Sequence, residues 1–116
     1  MQLKLSTRSV DGIVIVDCEG RIVFGEESSL LRDTVKNLLA ESKRIVLNLA
    51  GTNYIDSGGL GTLVSLYTSA QHAGSSIKLA NLTKRVGDLL QVTKLLTVFE
   101  VYDNEKQALE SFRTAA

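Results

Sequence analysis

Asp56, Ser57, Gly58, Gly59, Leu60 and Gly61 follow one another in this chain, an acid and a hydroxyl ahead of three glycines. Three chemistries use such a set: a nucleophilic serine, a glycine-rich phosphate cradle, or a hydroxyl that accepts a phosphoryl group. The nucleophile elbow needs Gly-x-Ser-x-Gly, and the residue two before Ser57 is Ile55. A hydrolase also needs a base held by a third group. The sole histidine, His72, lies along the same expected helix, roughly 20 Å away at ~1.5 Å rise per residue. It reads as a surface or helix-end residue. No catalytic residue is assigned, and the chain is read as not being an enzyme. Glycines opening a helix suit phosphate, but the Walker lysine and the Rossmann spacing are missing. One histidine and one cysteine far apart make no ligand set, so no metal or cofactor is expected. There remains Ser57 as a phosphoryl acceptor. A helix start favours added negative charge, and Asp56 opposes it unless its carboxylate points away.

Placing that serine requires a strand before it and a helix after it. Arg44-Ile45-Val46-Leu47-Asn48-Leu49 is a short apolar run, and Leu60, Leu63, Val64 and Tyr67 recur at helical spacing, so strand, tight loop and helix is the local reading. Ser57 falls at the junction and is expected to be the N-cap. Gly58, Gly59 and Gly61 are expected to leave the helix start bare, open to close approach by a partner.

Upstream, Leu3 to Thr7 alternate as a half-buried strand. Asp11-Gly12 signals a hairpin into the β-branched run Ile13 to Val16. Glu19-Gly20 is expected to turn the chain before a short strand, Arg21 to Phe24, ended by Gly25. A helix is expected from about residue 28 to 42, capped by Ser28 or Ser29, with Leu31, Val35, Leu38 and Leu39 on one face. Ile45 to Leu49 suits a central strand covered on both sides. After the Ser57 helix, ended by Gly74, come a strand at Ile77 to Ala80 and a short helix capped by Thr83. A strand at Val98 to Val101 follows, and then a helix opened by Asn104, with Gln107 completing a capping box. Strands alternating with helices imply parallel pairing through right-handed crossovers. The expected fold is one α/β domain over residues 1–116, a mixed sheet of hairpin plus parallel strands covered by about four helices.

Lysine plus arginine and aspartate plus glutamate both number 13, for a formal net charge of zero. That balance speaks against nucleic acid or an anionic membrane as partner. No apolar run is long enough to span a bilayer, and residues 1–4 lack signal-peptide character. Cys18 stands alone, so no internal disulfide forms, which suits a reducing cytoplasm.

Asp56-Ser57-Gly58-Gly59-Leu60-Gly61, after the run Ile45 to Leu49, resembles the signature of the STAS family, roughly Asp-Ser-Ser/Thr-Gly-Leu-Gly, and the likeness extends over nearly the whole chain. More narrowly, the chain is similar to bacterial anti-sigma-factor antagonists. That resemblance implies phosphorylation of Ser57 by an anti-sigma factor that is itself a serine kinase. It implies that the unmodified form binds this factor and frees the sigma factor, and that a phosphatase restores the unmodified form. The partner-binding surface it implies comprises Asp56, Ser57, Gly58, Gly59, Leu60 and Gly61, with Arg21 and Val23 beside them. Gly58 departs from the family pattern at the second hydroxyl, and Val23 stands where the family often has an acid. The alternative reading is a STAS-like subunit with a fixed structural role in a signalling scaffold or a lipid-transport complex.

Overall fold

The computed structural model describes residues 2–114; Met1, Ala115 and Ala116, included in the expected 1–116 domain, lie outside the described residues. The elements run β1 (Leu3–Val10), β2 (Ile13–Ile22), α1 (Glu26–Leu39), β3 (Arg44–Ile55), α2 (Ser57–His72), β4 (Ser76–Ala80), α3 (Lys84–Val92), β5 (Glu100–Tyr102) and α4 (Glu105–Thr114). The sheet is ordered as the sequence is, β1 to β5, antiparallel between β1 and β2 and parallel thereafter. The hairpin turns on Asp11 and Gly12, at φ 53° and 78°. Positive φ at both central residues is the two-residue turn whose twist matches its strands.

Several boundaries differ from the sequence reading. Glu19-Gly20 does not turn the chain: β2 runs through it as one strand, with register irregularities between Asp17 and Glu19 and between Gly20 and Arg21. Both flanks hold it there, since Arg21 N–H donates to Gln2 O at 2.8 Å while Glu19 to Ile22 pair with Gly51 to Ile55. That same pairing carries β3 six residues beyond Leu49. Neither Ser28 nor Ser29 caps α1, which begins after Gly25 without a side-chain cap. The Ser28 hydroxyl is buried and donates to Val23 O at 2.7 Å. Finally, Val98 and Phe99 precede the last strand, behind a 3-10 turn at Leu95–Thr97. Thr83 does cap α3, accepting from Val86 N–H.

β3 is covered on both faces. Ile45, Leu47 and Leu49 join the larger core with residues of α1, α2 and α3, whereas Val46 packs with Ile13, Ile15, Ala80, Ala108 and Phe112 beneath α4. Lys78 is also buried on the α4 side, its ammonium 2.7 Å from Ser111 Oγ and 4.1 Å from the Phe112 ring centre. Asn104 accepts from Gln107 N–H at 2.9 Å, and Gln107 accepts in return from Asp103 N–H, one residue earlier than a simple capping box. Arg8 reaches both Asp17 and Glu105, tying the hairpin to α4. Cys18 is buried, and burial pushes its thiol up to about 12, which makes it unreactive.

Candidate functional site

Asp56, and not Ser57, caps α2. Its backbone is extended, at φ −97° and ψ −178°, and Oδ1 accepts from Gly59 N–H at 2.8 Å. Both carboxylate oxygens also accept from Phe24 N–H at 3.1 Å. This correction follows from the chain beyond the loop: Phe24, just past β2, offers a donor that an acid can accept while it caps. The Gly59 bond, with help from Phe24, Gly58 and the charge of Arg21, holds the Asp56 carboxyl below its ordinary value. The acid is therefore ionised and committed to backbone donors.

Ser57 is the first residue of α2 and is exposed. Capping is done by its neighbour, and among the described residues no hydrogen bond engages the Ser57 hydroxyl.

The glycines behind it divide by purpose, which corrects the expectation of a uniformly bare helix start. A Cβ on Gly59 would sit 2.0 Å from Ile22 O, and one on Gly58 2.6 Å from Phe24 Cβ. These two let α2 close against the end of β2. Only Gly61 has open space where its Cβ would be. Leu60 and Gly59 are buried and Gly58 is half-buried, so they set the helix in place and offer little contact surface. Arg21 is exposed. Val23 is half-buried, and its carbonyl receives the N–H and hydroxyl of Ser28.

Four residues that sequence reasoning missed, Phe24, Tyr54, Arg85 and Val92, complete the surroundings. A groove of about 600 Å³ runs from Tyr54, Ile55, Asp56 and Ser57 to Arg85, Val86, Leu89 and Val92 on α3. Val92 is 79% exposed, and Phe24, on the other flank of the helix start, is 81% exposed. Two such apolar side chains on either side of one hydroxyl suit contact with a protein. Over the Tyr54 ring lie two guanidiniums, Arg21 at 4.9 Å and Arg85 at 5.2 Å from its centre. Register predicts half of this, because Arg21 and Tyr54 are paired across β2 and β3; Arg85 comes from α3, and no local spacing announces it.

Among the described residues no group of histidine, cysteine, aspartate and glutamate is arranged to hold a metal. His72 is exposed at the far end of α2 from Ser57. No helix among the described residues is long and apolar enough to cross a membrane.

A family model for the STAS domain matches residues 4–108. The anti-sigma F factor antagonist of Paenibacillus polymyxa is 26% identical over 111 residues, 94% of each chain. The anti-sigma-B factor antagonist of Bacillus subtilis is 26% identical over 102 residues, 87% of this chain and 92% of its own. Among solved structures, the anti-sigma factor antagonist SpoIIAA in its unphosphorylated form superposes with a TM-score of 0.77 at 16% identity, over 97% of this chain and 99% of that one. Its phosphorylated form gives 0.69 at 14% identity, over 95% and 98%. At those identities the two structures speak for the fold.

Proposed function

The chain belongs to the STAS domain family, and from that premise we propose that it is an anti-sigma factor antagonist switched by phosphorylation of Ser57. One observation carries the reading: an exposed serine opens α2 while the neighbouring Asp56 does the capping. Its support from relatives is that two of them, matched over 94% and 87% of this chain, are named antagonists, and that a neighbour in fold exists in a phosphorylated form.

In this reading the partner is a kinase-type anti-sigma factor. It covers Ser57, the open face at Gly61, and the exposed side chains of Arg21 and Phe24. Phosphorylation forms a bond from Ser57 Oγ to the γ-phosphorus of ATP as the bond to the bridging oxygen breaks. ADP leaves, and the hydroxyl proton passes to a base on the kinase. The product carries about −1.5 to −2 charges at neutral pH. Taking an ion out of water costs several kcal/mol after relaxation. Where the partner offers no new cation, a cost of ~3 kcal/mol lowers affinity roughly a hundredfold, with no refolding required. A phosphatase reverses the step, and the chain itself catalyses neither.

Incubation with the organism's anti-sigma kinases and ATP, followed by mass spectrometry, should place one phosphate on Ser57. Calorimetry should then show the unmodified form binding about a hundred times more tightly than the phosphorylated form. Equal affinities would overturn the switch and favour a fixed structural subunit.

A further inference from the structure

We propose that Arg21 and Arg85, gathered on the ring of Tyr54, receive the phosphoryl group of Ser57 within the same chain. The proposal rests on the reading of Ser57 as the acceptor, and adds a binding site for the product. Tyr54 is three residues before Ser57, and Ser57, Tyr54 and Arg85 line one groove. A second depression beside it is lined by Arg21, Asn53, Tyr54 and Arg85, so Arg85 and Tyr54 belong to both and link Arg21 to the wall that holds the acceptor. Arg21 also lies near enough to Asp56 for its charge to act on that carboxyl.

Neither arginine is spent on an ion pair among the described residues: the acids that form them answer other cations, Asp88 being paired with Lys84. The negative groups facing this corner are Asp56, committed to the Phe24 and Gly59 amides, Asp88 in the groove wall, and Glu27, which receives Gln2 N–H. Two cations stacked on one aromatic ring are held against their mutual repulsion by the ring's negative face. That arrangement fits a dianion with three acceptor oxygens, because guanidinium forks match phosphate geometry. Arg21 comes from β2 and Arg85 from α3, so a phosphate held by both would tie the end of β2 to α3 and take up the Arg21 side chain that the partner covers.

The test uses phosphoserine incorporated genetically at position 57, which separates this claim from any kinase. A phosphorus NMR titration reads the second pKa of the phosphate, about 6 for a free side chain. The intact arginine pair should hold it about 0.5 to 1 unit below its value in the Arg21→Gln/Arg85→Gln variant. Arg85→Gln alone, on an exposed helix position, should give roughly half of that shift and serves if the double variant does not fold. Lysine at both positions should recover only part, keeping charge but losing the fork. Values agreeing within about 0.1 unit across all variants would overturn the receptor, since the whole expected shift is larger. A normal shift in a protein that no anti-sigma kinase phosphorylates would instead overturn the reading it rests on.

Discussion

The carboxylate of Asp56 accepts Phe24 N–H at 3.1 Å with each of its oxygens. One side chain thereby joins the end of β2 to the start of α2 across 32 residues of sequence. Removing it unties two elements at once. Asp56→Ala should cost about 1 to 2 kcal/mol, the upper part of the range for a lost cap. Asp56→Asn keeps an acceptor and should cost less than half of that. Urea denaturation of the two variants checks the order.

The same residue sets an acid limit. Asp56 is held below the ordinary value of 3.8 by the Gly59 amide above all, and Asp17 is held below 3.8 by Arg8 above all, with a bond from Asn48. A carboxyl whose folded value is depressed stabilises the fold above its unfolded value and loses that contribution as pH falls through the folded one. Stability should stay flat from neutral pH down to about 5 and fall progressively below about 4. Asp56→Asn should flatten part of that fall, measured as urea midpoints against pH. An unchanged acid profile would mean the carboxyl does not contribute.

Ser57→Ala should cost less than about 0.5 kcal/mol, as a surface change without a cap does. A loss of 1 kcal/mol or more would mean that the serine shares in capping. The same variant should bind the anti-sigma factor constitutively.

The glycines should separate fold from contact. Gly59→Ala drives a methyl into Ile22 O and should destabilise by about 1 to 3 kcal/mol, as overpacking does. Gly61→Ala meets nothing and should stabilise by up to about 1 kcal/mol through helix propensity. Gly61→Arg should then keep the fold and weaken binding of the anti-sigma factor, which thermal melts and calorimetry together read.

Lys78 tests the α4 side. Lys78→Met keeps most of the packing against Phe112 and leaves Glu100 half in solvent, at 47% exposure. Ser111 still donates to Ala108 O. Stability should stay within about 1 kcal/mol of the parent, because a buried cation exchanged for an apolar side chain of like volume is often neutral. Lys78→Ala should cost about 2 kcal/mol or more through the cavity it leaves.

Much of the fold was legible because its signals are local. Asp11-Gly12 announces the hairpin, and the unbroken apolar run at Ile45 to Leu49 announces a strand buried on both faces. The passage of β2 through Gly20 was not, because that glycine serves close approach to Gln2, a neighbour known only once the sheet is built. Asp56 and Ser57 are equally good caps by type; the Phe24 amide, remote in sequence, decides between them. The place of Ser57 at the start of α2 was legible from the apolar run before it and the helical spacing after it. Arg85 and Tyr54 were not, since their meeting depends on where α3 lands.

Capping and the proposed acceptance fall on adjacent but different residues. Position 56 is restricted to side chains that can hold the helix start, whereas position 57 is free to change with little effect on folding. A single substitution at 57 can therefore silence or restore the proposed signal while the scaffold stays intact.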